Sequence, residues 1–218
     1  MPRESKADLK KRTAKIIDIL RQTHPDARTA LNFRNPLELL VATILSAQCT
    51  DQRVNLVTEA LFVKYRTAQD YAGAAEEVFQ REIRSTGFFR NKTKAIRAAA
   101  TELLSRYGGH VPDTMEDLLT LPGVARKTAN VVLGSAFGKN EGVVVDTHVQ
   151  RVAAKRLKLS RHTAPVKIER DLMEVVPRDQ WTLFSHLIIF HGRRICMARK
   201  PDCPGCPIHK PCPSAFKL

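Results

Sequence analysis

Aromatic residues make up only 6% of the 218-residue chain, with a single Trp and three Tyr. So thin a supply argues against a single-strand binder that stacks successive bases on aromatic platforms. Long apolar runs are also missing: no stretch of eighteen apolar residues occurs, so no segment is expected to span a bilayer. The amino terminus, MPRESKADLKKR, carries charge with no apolar stretch behind it, which excludes a secretory signal. β-patterned segments are scarce, and the best of them, residues 142–145, is too short for a sheet. Acidic residues fall well short of basic ones, 22 Asp and Glu against 36 Lys and Arg, leaving a formal net charge of +14. That excess calls for a polyanionic partner, either nucleic acid or an anionic membrane surface.

What is present reads as helix almost throughout, so the expected fold is all-α. Leu9, Ile16, Ile17 and Leu20 share one face of an opening helix that ends before His24-Pro25. Asn35-Pro36 is a helix start, with Asn as cap and Pro in the first position, and PLELLVATILSAQC behind it is apolar nearly all round. Helices are expected over 51–65 and 74–84, with a loop at 87–91. Ala95, Ile96, Ala99 and Leu103 line the next helix, which ends at Tyr107-Gly108-Gly109. Thr114, with Asp117 three residues on, caps the short MEDLLTL helix. A helix follows from the 121–123 turn to about 136, stopping at Gly138, and others over 147–157, 164–176 and 179–193. The least helical segment, 140–146, is the expected crossing between two helical lobes.

Three motifs carry chemistry. LPGVARKTA at 121–129 turns the chain through Pro122 and Gly123 straight into a helix. The unpaired N–H groups at such a terminus suit a phosphate, and Arg126 and Lys127 add charge beside them. The plainer alternative is an ordinary helical corner with solvated basic residues. VVVDTHV at 143–149 places Asp146 as a natural N-cap, a role that needs no catalysis, and His148 in the first turn behind it. Cys196, Cys203, Cys206 and Cys212 follow the spacing C-x6-C-x2-C-x5-C, while Cys49 stands alone on an apolar helix as a core thiol. In a chain without a signal, expected in a reducing cytosol, clustered cysteines more often hold a metal than pair as disulfides. Four soft thiolates fit a tetrahedral zinc or a [4Fe–4S] cluster, and a single short clip between two longer arcs favours the larger group.

These motifs, with LLVATILSAQCTD at 39–51, TGFFRNK at 86–92 and HGRRICMARKPDCPGCP at 191–207, resemble the endonuclease III family. Its members are bifunctional DNA glycosylases of the helix-hairpin-helix base-excision-repair superfamily. The resemblance implies a six-helix barrel domain with the hairpin over residues 28–139. It also implies a second helical domain, 1–27 plus 140–218, carrying a [4Fe–4S] cluster on Cys196, Cys203, Cys206 and Cys212. DNA would lie across a cleft between the two. Lys127 matches the family's nucleophile and Asp146 its motif aspartate. Gln48 matches the residue that fills the gap left by a flipped nucleotide, and Phe88 sits at the wedge position, where an aliphatic residue is commoner. Gly123, Ala125, Arg126 and Thr128 belong to the DNA-gripping hairpin, with Ala125 where the family usually has a second Gly. His148 is either a pocket donor or an ordinary first-turn helix residue, and Arg199 and Lys200 would be held toward phosphates by the cluster loop. The implied partner is double-stranded DNA with damaged pyrimidines or abasic sites, engaged by a monomer in the cytoplasm, at the bacterial nucleoid.

A lesion in a duplex hides its sugar carbon, so the nucleotide must be extruded at a cost of a few kcal/mol. The lysine then attacks C1′ as a free amine, whereas an amine of ordinary pKa near 10.4 is neutral about one time in a thousand at pH 7.4. Desolvation, a helix N-terminus and Arg126 are expected to favour the neutral form. Asp146 would take the lysine's proton and stabilise the cationic sugar. Only an amine nucleophile leads to an imine and hence to β-elimination, so Lys127 implies lyase activity as well as base removal. The adenine-specific mismatch glycosylases share the cluster and hairpin, but they lack the lysine and carry a further carboxyl-terminal domain; this chain stops six residues after Cys212. A non-enzymatic hairpin module with a structural zinc is the alternative from another class. The positive charge gathers at 9–12, 84–97, 126–127 and 193–200, where it would hold phosphates with strong salt dependence and little sequence preference.

Overall fold

The computed structural model describes residues 4–217; the first three residues of the charged amino-terminal segment, and Leu218, lie outside the described residues. No strand occurs among the described residues, and residues 143–145 are buried chain outside any helix. The helices are α1 (Lys6–Thr23), α2 (Pro36–Leu45), α3 (Asp51–Lys64), α4 (Ala68–Gly73), α5 (Glu76–Glu82), α6 (Phe89–Tyr107), α7 (Met115–Thr120), α8 (Arg126–Ala136), α9 (Thr147–Val149), α10 (Pro165–Val175) and α11 (Trp181–Arg194). None is long and apolar enough to cross a membrane.

Short polar side chains set where many of these begin. Ser5, Asn35, Thr50, Thr67, Thr114 and Asp146 each accept a first-turn backbone N–H that has no partner inside its helix. At Asn35 the bond comes from the Glu38 amide at 2.9 Å, with Pro36 opening α2. Gly108, in the left-handed conformation, closes α6, and the Gly109 N–H reaches back to the Leu103 carbonyl at 2.8 Å.

The chain divides into two compact units, Thr29–Lys139 and a second made of the segment through Arg28 together with the chain from Asn140 onward. The Thr29–Lys139 unit has its own core, with Leu39, Leu45, Val54, Phe79, Ile96, Leu103 and Leu133 at its centre. The other unit packs Ile16, Ile17 and Leu20 of α1 with Val143, Val152, Leu172, Phe184 and Ile188. The amino-terminal helix therefore joins the carboxyl-terminal half rather than its sequence neighbours.

Three local features depart from expectation. The helix expected over 74–84 is the shorter α5, and a separate helix outside that expectation, α4, precedes it, started by the Thr67/Asp70 capping box. The loop expected at 87–91 is shorter: Phe88 takes the left-handed conformation and α6 begins at Phe89. The helix expected over 147–157 is α-helical only for α9; it continues as a π-helical segment, Gln150–Arg156, in which the Leu157 N–H bonds the Val152 carbonyl at 2.8 Å.

Candidate functional site

The 121–129 motif folds as a tight corner between α7 and α8. Pro122 and Gly123 occupy the middle of a turn closed by the Val124 N–H on the Leu121 carbonyl at 3.1 Å. Gly123 has φ of +77°, and a Cβ added there would stand 2.7 Å from the Ala95 Cβ on α6. Glycine is thus required twice, for the backbone conformation and for the approach to α6. Ala125 is exposed and extended at φ −93°, ψ 167°, a conformation open to any residue, so its methyl introduces no backbone strain. It caps α8 with no side-chain hydrogen bond, and a helix start of this kind suits an anion. Lys127, the second residue of α8, is exposed. The desolvation expected for its amine is therefore not supplied by the chain by itself; water exclusion has to come with the ligand.

Replacing Gly123 with Ala is expected to lower stability by about 1–3 kcal/mol and to weaken duplex binding. Adding Ala95→Gly restores the space but not the backbone preference, so the double variant recovers only part of the loss. Thermal melts and duplex titrations of the three proteins check this.

Gln48, Phe88, Gly123 and Thr128 line one groove of about 250 Å³ in the Thr29–Lys139 unit, with Thr43, Ile44 and Asn91. Gln48 and Phe88 share an unusual property: both are non-glycine residues at positive φ, 53° and 48°. Such conformations cost on the order of 1–3 kcal/mol and concentrate at binding sites. Both side chains are exposed, Phe88 by 61% of its area, which excludes the core-packing role that most large aromatics play. Lys92, which sequence reasoning passed over, also borders this groove yet is buried, and burial pushes its pKa below the ordinary lysine range against an opposing pull from Cys49. Its signal was its spacing: it stands four residues before Ile96 on the apolar face of α6.

In the other unit, Asp146 is half-buried and its Oδ1 accepts the Val149 N–H at 2.8 Å, so the capping role is real. His148 lies in the turn it caps, with ring Nδ1 3.2 Å from a terminal guanidinium nitrogen of Arg151. Burial first, then Arg151 and Arg193, push the His148 pKa down against upward pulls from Asp146 and from a backbone hydrogen bond at Gly192. The lowered pKa favours the neutral ring near pH 7. Arg151 also donates to the carbonyls of Gly192 at 2.8 Å and Cys196 at 3.1 Å.

Cys196, Cys203, Cys206 and Cys212 are free thiols lining a single, mostly apolar cavity with Val152, Leu157 and Ile208. Burial pushes the Cys206 thiol up to about 11 and raises that of Cys196, so thiolates here need a compensating cation. Among the described residues, no group of three or more His, Cys, Asp or Glu is arranged to hold a metal ion. Four soft sulfur donors on one cavity fit the chemistry of an iron–sulfur cluster. Arg199 and Lys200, in the arc between the first two cysteines, are exposed.

Over residues 41–178 the chain matches the family described as HhH-GPD superfamily base excision DNA repair protein. It is 52% identical to the endonuclease III of Synechocystis sp. over 209 residues, 96% of this chain and 95% of that protein. With the endonuclease III of Bacillus subtilis it shares 44% identity over 197 residues, 90% of this chain and 89% of that protein. A solved trapped endonuclease III–DNA covalent intermediate matches with a TM-score of 0.89 at 42% identity, covering 95% of this chain and 97% of that one. A thermostable thymine-DNA glycosylase, at 24% identity, shares the fold with a TM-score of 0.82 over 95% of this chain and 98% of its own.

Proposed function

This chain belongs to the endonuclease III family of HhH-GPD base excision DNA repair proteins, and we propose that it removes oxidised pyrimidines from double-stranded DNA and then cuts the strand 3′ to the abasic site. The observation that carries the proposal is Lys127: an exposed amine in the first turn of α8, four residues after Gly123 and next to Thr128, both of which line the groove with Gln48 and Phe88. The start of α8, which has no side-chain cap, and the basic surface bind phosphates; Gln48 and Phe88 enter the duplex where the damaged nucleotide leaves the stack.

The Lys127 amine attacks C1′, and the N-glycosidic electron pair departs with the base. Asp146, held by the Val149 N–H on Oδ1, takes the proton that the new C–N bond releases and stabilises the positive charge that develops on the sugar. His148 offers a ring nitrogen to the flipped nucleotide. The aminal opens to an imine, the imine acidifies the C2′ proton, and loss of that proton expels the 3′ phosphate. Water restores the free lysine.

We assign residues 28–139 to the barrel and hairpin domain, and 1–27 with 140–218 to the cluster domain. Cys196, Cys203, Cys206 and Cys212 would hold a [4Fe–4S] cluster. When bound, the cluster supplies a rigid tie for the loop between its ligands. Arg199 and Lys200 then face phosphates from that loop. The protein works as a monomer on the bacterial chromosome, in the cytoplasm.

A duplex carrying one oxidised pyrimidine tests the proposal. The expected product is a strand cut without alkali, ending in a 3′ unsaturated aldehyde. Cutting only after hot alkali would leave base removal standing and refute the lyase step. No cutting under either condition would refute the whole proposal.

A further inference from the structure

Lys92 is a charged residue buried in the Thr29–Lys139 core, only 5% exposed. Its ammonium donates to two backbone carbonyls, Leu45 at 2.7 Å and Thr86 at 2.8 Å. Both carbonyls stand at helix ends: Leu45 is the last residue of α2, and Thr86 the last of a 3₁₀ turn, Arg84–Thr86. Backbone donors run out at such ends, and the carbonyls there form the negative poles of their segments. The partners are 47 and 6 residues from Lys92 in sequence, so one side chain ties two otherwise separate stretches of chain. Gln48 follows Leu45 by three residues and Phe88 follows Thr86 by two, and both stand at positive φ on one groove.

We propose that Lys92 is a positioning residue that holds the Gln48 and Phe88 turns in register, so that both side chains enter the duplex together. The proposal rests on the assignment of Gln48 and Phe88 as duplex-entering residues. A strained turn persists only where its surroundings over-determine it, and here one buried ammonium fastens the chain just ahead of each turn. An aliphatic side chain of similar length would fill the same space and leave both carbonyls without a donor. Each turn could then relax independently, and the groove would lose its paired presentation while keeping its basic surface.

The test uses the full chain with its cluster, and a duplex with 2-aminopurine opposite a tetrahydrofuran abasic analogue. At saturating protein the wild type is expected to raise 2-aminopurine fluorescence as the opposite base unstacks. Lys92→Met is expected to lose most of that rise while binding undamaged duplex within about twofold of wild type, since phosphate contacts dominate nonspecific affinity. Its preference for the abasic over the undamaged duplex should fall roughly tenfold. In a Gln48→Ala/Phe88→Ala background, the same substitution should change that preference by less than about twofold, because residues acting through one another are not additive. Lys92→Arg, which keeps charge and donors, should retain at least part of the rise. If Lys92→Met does not fold, Lys92→Gln, which stays polar but is one atom too short to reach both carbonyls, carries the same comparison. A wild-type rise in Lys92→Met, or a full additional loss in the triple variant, overturns the proposal. A wild-type rise in Gln48→Ala/Phe88→Ala shows instead that the underlying assignment of those two residues is wrong.

Discussion

Lys127→Gln is expected to abolish covalent trapping on abasic DNA and to slow base removal by at least roughly 10³-fold, about 4 kcal/mol of transition-state stabilisation. Glutamine keeps a polar side chain of similar reach but has no basic amine, so neither the C–N bond to C1′ nor the imine can form. Lys127 is exposed in the first turn of α8, and its replacement disturbs no core contact. Stability should therefore shift by less than about 0.5 kcal/mol, as for ordinary surface positions. Duplex affinity should change little, because many cations share the phosphate contacts. Single-turnover rates, titrations and melts on one preparation separate these effects. A variant that still cuts an abasic strand at the wild-type rate would move the nucleophile elsewhere.

Asp146 serves as a structural cap as well as the proposed proton acceptor, and one pair of substitutions separates the two. Asparagine caps helices about as well as aspartate, so Asp146→Asn keeps the bond to the Val149 N–H and removes the charge. Its melting temperature should match wild type while single-turnover base removal falls by about 10²–10⁴-fold. Asp146→Ala should lose the rate to a similar degree and about 1 kcal/mol of stability in addition. If Asp146 were a cap and nothing more, asparagine would keep full activity. Alanine would then lower stability alone.

Much of this architecture was legible from residue types because its punctuation is local. Asn35-Pro36, Thr114 and Asp146 start helices, and Gly108 and Gly138 follow helix ends, at the positions their capping chemistry dictates. What stayed hidden depends on tertiary context. Six residues are too few for periodicity to reveal α4, although the Thr67/Asp70 capping box marked its start. Nothing in the composition around Phe88 announces a left-handed aromatic, because the surroundings impose that conformation. The π-helical continuation of α9 leaves no mark that spacing could reveal.

The candidate site shows the same division. Gly123 could be read from its neighbours, since a corner between two helices demands positive φ, while its second constraint, the approach of Ala95, is visible only in three dimensions. Lys92 sits among Arg90 and Lys94 and reads as one more solvated charge, yet its place on the Ile96–Ala99–Leu103 face of α6 marked it for burial. Its helix-end acceptors are what make a buried ammonium tolerable.

The central claim is that the amine of Lys127 becomes bonded to C1′ of the damaged nucleotide. Borohydride reduction of the wild-type protein on an abasic duplex, followed by proteolysis and tandem mass spectrometry, tests it directly. The account predicts a reduced sugar adduct on the peptide containing Lys127 and on no other. An adduct on a different lysine or on the amino terminus, or none at all while the strand is still cut, would contradict it.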